Sequence, residues 1–283
     1  MTSRRSSASW GSAEPARPPA IDVLIPTAGR IAELAVTLAG LAAQDDPSFR
    51  VVVSDQADRS ALDEPAVAAM LRVLRAQGRD VRVLRHLPRR GLAEQRDFLL
   101  AQAEADAVLF LDDDVWLEPG QLARLHEALD ALGCGFVGAA VQGLSYLDDE
   151  RPGEWETFEP WGSRVVPEHV GRDTRAFDHW RLHNAANLTH LAGRVPLPSR
   201  GWTAYKVAWI GGCVLYRTRA LRDVGGFGFW RGLPARHSGE DVLAQWRVME
   251  RYGGAGVLPS GAVHLEAPTT VPVREVEAFD VAG

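Results

Sequence analysis

Ala107-Val108-Leu109-Phe110-Leu111-Asp112-Asp113-Asp114 is the stretch on which the fold turns. Five apolar residues without a polar break suit a strand buried on both faces, and such strands belong to parallel sheets covered by helices. Three adjacent carboxylates follow. Like charges this close repel and raise one another's proton affinity, so a purely structural role is costly. A divalent cation relieves the repulsion. Oxygen donors suit Mg²⁺ or Mn²⁺, which complete their shells with waters and substrate phosphates. The competing reading is a solvated acidic turn that caps a helix near Pro119-Gly120.

Working outward, the strand is one of a series. Ile21 to Ile25 is short, β-rich and followed by Pro26, and the turn Thr27-Ala28-Gly29-Arg30 precedes apolar residues at helical spacing, Ile31, Leu34, Leu38 and Leu41. Val51 to Val53 reads as a second strand with Ser54-Asp55 at its end, Ala66 to Gln77 as a helix, Val81 to Leu84 as a third strand and Leu92 to Ala105 as a helix. Alternating strands and helices predict an α/β fold with a parallel sheet flanked by helices. Ligands of such sheets bind beyond the carboxyl ends of the strands, which aligns Thr27, Asp55 and the Asp cluster along one rim. After Gly143 the periodicity is lost. Residues Tyr146 to Gly201 are rich in Pro, Arg, His and Trp, and six of the nine tryptophans lie between Trp155 and Trp230. A strand from Ala208 to Tyr216, a short helix from Arg219 to Val224, a Gly225-Gly226-Phe227 turn and a helix from Val242 to Tyr252 ended by Gly253-Gly254 are expected next.

Composition narrows the classes. The chain has 283 residues, 46% hydrophobic and 24% charged, with a formal net charge of -6. That charge argues against a nucleic-acid partner. Cys134 and Cys213 form no CxxC pair and read as buried free thiols in a reducing compartment. No apolar run approaches the length that spans a bilayer and no secretory signal is visible, so a cytoplasmic location is expected, with peripheral membrane contact left open. Residues 1–20 read as a disordered tail, 21–267 as one domain in two halves, 21–143 and 144–267, and 268–283 as a C-terminal tail.

A second acidic pair, Glu240-Asp241, opens a helix. Ser238-Gly239-Glu240-Asp241 fits a capping pattern, and a capped helix start is also a rigid place for a catalytic carboxylate. His179 and His183 at i, i+4 could form a metal pair, but without HExxH a polar loop is the favoured reading. The tryptophans of the insert could pack their indole faces on a ligand, although most are expected in the core.

These segments together resemble the family-2 glycosyltransferases, inverting enzymes of the GT-A fold. Asp22 to Arg30 resembles the family's opening strand and turn, Arg90-Gly91-Leu92-Ala93-Glu94-Gln95-Arg96-Asp97 its Gly…Ala-Arg-Asn helix start, and Phe110 to Asp114 its DxD motif. Gly225-Gly226-Phe227 with Gly239-Glu240-Asp241-Val242 resembles its GGF…ED pair, and Arg247 falls where the family often has an arginine. The resemblance implies a single GT-A domain with an irregular acceptor-side insert. It implies a nucleotide-sugar donor, expected as a UDP-sugar on the family's habits, Mn²⁺ or Mg²⁺ as cofactor, and a role in polysaccharide biosynthesis with a carbohydrate, lipid-linked or small-molecule acceptor.

By the same resemblance, Asp55 bonds the nucleobase, and Pro26, Thr27 and Arg30 line the nucleotide pocket. Arg96 holds the nucleotide or its diphosphate, Asp113 faces the ribose, Asp114 binds the metal and Asp112 supports both metal and nucleotide. His264 is a further metal ligand, and Asp241 is the general base with Glu240 beside it. Two departures stand out: Asp97 in place of the usual Asn, and Ser54-Asp55-Gln56 in place of an Asp-Asp-Gly type of turn. A nucleotidyltransferase on a related fold and a non-catalytic sugar-nucleotide binder remain alternatives; the single glycine of the Pro26–Arg30 loop disfavours the first.

Overall fold

The structure is a computed structural model that describes residues 6–10, 18–182 and 187–282. Residues 1–5 and 11–17 of the expected tail lie outside the described residues, as does His183. Among the described part of that tail, Ser7–Ser9 form a short 3-10 turn.

The first half follows the alternation read from the sequence. Strand β1 (Ile21–Thr27), helix α1 (Ile31–Ala42), β2 (Phe49–Asp55), α2 (Pro65–Ala76), β3 (Val81–Arg85), α3 (Leu92–Ala101) and β4 (Ala107–Leu111) occur in turn. Every residue of β1, β2 and β4 is buried. Alternate side chains enter two separate cores. Val23, Val51 and Leu109 face the α1 and α2 side, while Leu24, Val52, Val108 and Phe110 face the other.

The second half adds β5 (Val115–Leu117), α4 (Gln121–Leu132), β6 (Phe136–Gly138), β7 (Gln142–Gly143) and the short helices α5 (Pro152–Trp155) and α6 (Asn187–Arg194). It continues with β8 (Thr203–Tyr205), β9 (Cys213–Arg217), α7 (Thr218–Asp223), β10 (His237–Ser238) and α8 (Glu240–Tyr252). It closes with β11 (Gly254–Leu258), β12 (Ala262–His264), β13 (Val276–Glu277) and α9 (Ala278–Val281). The main sheet runs β3-β2-β1-β4-β9-β6-β11-β8. It is mixed: β3, β2, β1 and β4 are parallel, while β9 is antiparallel to both β4 and β6. A three-stranded sheet, β5-β12-β7, sits beyond the Asp cluster.

Three boundaries differ from the sequence reading, each for a local reason. Helix α3 stops at Ala101 rather than Ala105, because the buried Asp22 carboxylate accepts the Glu104 and Ala105 amides at 2.6 and 2.8 Å and draws them out of helical register. Strand β9 starts at Cys213 rather than Ala208, since the Gln245 amide takes both backbone groups of Ile210 at 2.8 Å. Helix α8 starts two residues early, at Glu240, with Gly239 as its N-cap at φ 72, and Ser238 makes no capping bond. The acidic cluster caps no helix either, as β5 separates it from α4, whose N-cap is Gly120.

The segment expected as a C-terminal tail is built into the fold. β13 pairs with β10, Ala278 is fully buried, and the Phe279 ring lies 5.1 Å from Trp246 of α8. Its apolar residues are interrupted by Pro272, Arg274, Glu275, Glu277 and Asp280 and give no helical period, so only the packing reveals it.

Candidate active site

One cavity of about 1190 Å³ opens at the carboxyl ends of β1 and β4. Its wall includes Pro26, Thr27, Arg30, Arg96, Asp112, Asp113, Asp114, Glu240, Asp241 and His264. Residues far apart in the chain meet there because the parallel strands end on the same rim and because β9 reverses beside β4, bringing the second half back to it.

The Asp cluster is held by specific donors. Thr27 Oγ1 donates to Asp113 Oδ2 at 2.6 Å, and Arg30 Nη1 donates to Asp113 Oδ1 at 3.1 Å and to Asp114 Oδ2. Burial pushes the Asp113 carboxyl up to about 7, against the Thr27 hydroxyl and the Arg30 charge. Burial also raises Asp112, opposed by Arg96 and reinforced by Asp114 and Asp241. His264 Nε2 lies 3.2 Å from Asp114 Oδ2, while its Nδ1 accepts the Glu266 amide at 3.1 Å. The bond to Asp114 raises the imidazole's proton affinity despite partial burial.

Arg96 joins the two acidic groups. Its Nη2 donates to Asp112 Oδ1 at 3.0 Å and its Nε lies 3.5 Å from Glu240 Oε1. Burial alone would make this guanidinium easier to deprotonate; the charges of Asp112, Glu240 and Asp241 outweigh that and hold it charged. Its cationic face rests near the rings of Phe110 and Phe227, 5.8 and 6.0 Å from their centroids. This accounts for the Gly225-Gly226-Phe227 turn, where φ values of 88 and 54 at the glycines bring Phe227 under Arg96. Burial, then the neighbouring Asp241 charge, push Glu240 up to about 7. Asp241 is more open: it accepts the Val242 amide at 2.9 Å and borders the cavity.

Other expectations fare differently. Asp55 does not border the cavity. It is fully buried, with Oδ1 accepting the Ala57 amide at 2.8 Å and Oδ2 accepting the Ala61 amide and Arg85 Nη1 at 3.0 and 2.8 Å. Both carboxylate oxygens thus take part in shaping the loop that follows β2. Asp97, the departure from the family's Asn, accepts the Trp230 indole N–H at 2.9 Å. Of the six tryptophans between Trp155 and Trp230, Trp180 and Trp209 border the cavity, with Phe177 and Tyr146 beside them. Trp202 is core, and the Trp155 ring carries Arg194 at 3.5 Å. His179 stands in a 3-10 helix, buried, with Nδ1–H donating to Ala176 O at 3.0 Å.

The sequence reading missed Gln95, whose amide donates to Ser54 O at 2.7 Å, and His237, whose Nε2 accepts the Ala93 amide at 3.0 Å. It also missed Thr269, Thr270, Val271, Arg274, Glu277 and Phe279, which close one side of the cavity. The sequence carries no local signal for them; the tight approach of Gly91 to His237, where a β-carbon would lie 2.4 Å from the imidazole, is seen only in the structure.

Whether this set fits a divalent cation is answered by its chemistry. The Arg30 guanidinium bridges Asp113 and Asp114 and occupies, as a cation, the kind of position a metal ion takes between carboxylates. Asp112 and Asp114 supply hard oxygen donors suited to Mg²⁺ or Mn²⁺. Among the described residues, no group of three or more His, Cys, Asp or Glu side chains is gathered as a complete metal cage. That fits an ion whose remaining ligands are phosphate and water. His264 Nδ1 accepts a backbone N–H, which turns its Nε2 toward Asp114 Oδ2 and the cluster.

Similar structures share the architecture. A mannosyltransferase from Pyrobaculum calidifontis in complex with GDP-Man and Mn²⁺ matches with a TM-score of 0.57 and 16% identity, over 93% of this chain and 61% of its own. TarS 1-349 of S. aureus matches at 0.55 and 17% identity, over 86% of this chain and 60% of its own, and its complex with UDP-GlcNAc at 0.54 and 17%, over 89% and 60%. The chain therefore spans less than two thirds of those proteins' lengths. No curated protein matches it in sequence. Among the described residues no helix is long and apolar enough to cross a membrane. The model of the family described as Glycosyl transferase family 2 matches residues 22–190, more than half of the chain, and covers the strand β1, the α3 start and the Asp cluster from which this site is built; the chain belongs to glycosyl transferase family 2.

Proposed function

We propose that the protein transfers a sugar from a nucleoside-diphosphate donor to an acceptor hydroxyl, with inversion at the sugar carbon. The observation that carries this reading is the single cavity that joins Asp112-Asp113-Asp114 to Glu240-Asp241 through Arg96. A cluster suited to a metal-bound diphosphate thus stands across from a carboxylate that a hydroxyl can reach.

Asp241 takes the acceptor proton as the acceptor oxygen bonds to the sugar carbon and the bond from that carbon to the diphosphate oxygen breaks. Glu240, beside Asp241 and 3.5 Å from Arg96, tunes the charge of the site. Asp112 and Asp114 would hold Mg²⁺ or Mn²⁺, which when bound neutralises charge on the leaving diphosphate. Arg30, Arg96 and the fixed Thr27–Asp113 bond keep the donor side in place before reaction, which is where most of the rate acceleration of such a displacement lies. The aromatic wall of Tyr146, Phe177, Trp180 and Trp209 supplies apolar faces for an acceptor sugar.

The test is a panel of UDP-, dTDP- and GDP-sugars with Mn²⁺ or Mg²⁺, read as donor hydrolysis or transfer. At least one donor is expected to turn over, and both Asp114→Ala and Asp241→Asn to abolish that turnover. Normal rates in Asp241→Asn would remove it as the base. Full activity without a divalent ion would contradict the role given to the Asp cluster.

A further inference from the structure

A second cavity of about 400 Å³ continues from the first at the edge of β2, sharing Ala28, Leu92, Gln95, Thr270 and Val271 with it. Its wall carries apolar groups from Leu92 and from Val271, Pro272 and Val273, and polar groups from Gln56, Arg89, Gln95 and Arg236. No aspartate or glutamate borders it. It is the right kind of space for a flat ring with one polar edge, beside the site where the diphosphate of the donor is placed above.

Gln56 is the informative residue. It follows Asp55 directly, so as the chain leaves β2 it points where Asp55 does not. Its side chain borders the cavity yet is only 3% exposed. Its backbone N–H donates to Thr27 O at 2.9 Å, which fixes it to the end of β1. Its Nε2 leans on Glu94 Oε2 at 3.5 Å, and Glu94 is itself held by His86 Nε2 at 2.7 Å. A carboxylate behind the amide requires that the NH₂ face it. The amide carbonyl oxygen is then left to the cavity side, and among the described residues it has no hydrogen-bond partner. An amide oxygen turned to a cavity is an acceptor that the N–H of a ligand can reach.

We infer that Gln56, not Asp55, reads the nucleobase of the donor, and that it selects an imide base, uracil or thymine. The inference rests on the donor-site reading above. Its chemistry is a matching of edges. Uracil and thymine present an N–H between two carbonyl oxygens. The Gln56 oxygen accepts that N–H, while the Arg89 guanidinium on the same wall is a donor for a flanking carbonyl. Cytosine and adenine present a bare ring nitrogen at that place, so two acceptors would meet. Guanine has a ring N–H but also an adjacent amino group, which in a cavity without a carboxylate lacks a strong acceptor.

The experiment is a titration of the full chain with UDP, dTDP, CDP, ADP and GDP in Mn²⁺, followed by tryptophan fluorescence or calorimetry. UDP and dTDP are expected to bind about tenfold or more tightly than CDP and ADP, the ratio carried by one desolvated hydrogen bond, and more tightly than GDP. Gln56→Leu, similar in size but without the acceptor, should bring UDP down to the level of CDP and leave CDP unchanged. Asp55→Asn should keep the wild-type order of bases, even where it lowers stability. The inference is overturned by a wild-type order with CDP, ADP or GDP first, by an unchanged preference in Gln56→Leu, or by an order lost in Asp55→Asn. Absence of binding by all five nucleotides would instead sink the donor-site reading itself.

Discussion

Arg96 is the residue on which the arrangement of charge depends. It is buried between Asp112 and Glu240 and is kept charged by them, so neither acidic group stands alone on folding. Glu240 shows the remaining imbalance. Its proton affinity rises from the usual 4.5 to about 7 because burial and the Asp241 charge outweigh Arg96. Between those values the folded protein holds a proton that the unfolded chain has released, so this group's contribution to stability is fully present below about 4.5 and is lost as pH rises through about 7. Melting temperatures of the metal-free protein and of Glu240→Gln, measured from pH 5 to pH 8, should converge at the acid end and diverge at the alkaline end, with the variant the more stable at pH 8. Parallel curves would show that Glu240 does not titrate in this window.

Two elements owe their position to single side chains remote from the chemistry. Asp22 of β1 accepts Arg50 of β2 through both oxygens, at 2.8 and 2.7 Å, and also ends α3 through the Glu104 and Ala105 amides. One carboxylate thereby sets the spacing of β1, β2 and the α3–β4 connection, and so the rim where Thr27 and the Asp cluster meet. Asp22→Ala would take the bidentate partner from a guanidinium that is 1% exposed and leave it to Glu104 and the Gln102 carbonyl. A loss of about 3–5 kcal/mol is expected by urea denaturation, as for other broken buried pairs. The C-terminal element is the second case. Phe279 packs on Trp246 and on Gly239, Arg172 forks onto Asp280 at 3.0 and 3.2 Å, and Arg30 Nη2 donates to Pro268 O. Phe279→Ala should weaken this docking by about 1–3 kcal/mol, less than the loss of a fully buried phenylalanine. Limited proteolysis within residues 268–282 should quicken, and donor affinity should fall several-fold, because Thr270, Val271 and Arg274 of that segment close the cavity. Unchanged affinity would make the segment a structural edge only.

At the scale of the molecule, stability and donor binding are linked. A nucleotide and its metal that bind only the folded chain raise its stability by mass action, about 2.7 kcal/mol at one hundred times Kd. UDP with Mn²⁺ is expected to raise the melting temperature by several degrees, Mn²⁺ or UDP alone by less, and the pair to give no extra shift in Asp114→Ala. Much of this organisation was legible beforehand. Apolar runs at Val23, Val51 and Ala107 read as strands buried on both faces, and the polar residues just after them then share a rim. The antiparallel return of β9, the ends of α3 and β9, and the course of residues 268–282 were not legible, because each is fixed by partners remote in sequence: β4, Asp22, Gln245 and α8.

What the sequence determined by itself was the class of the fold, the acidic pair of sites and the family, since local apolar pattern and short motifs carry all three. What only the tertiary structure decided was which neighbouring residue borders the cavity. Asp55 and Gln56 are adjacent, both polar and both at the end of β2; a strand end turns successive side chains to opposite sides, and there the carboxylate went to the loop and the amide to the cavity.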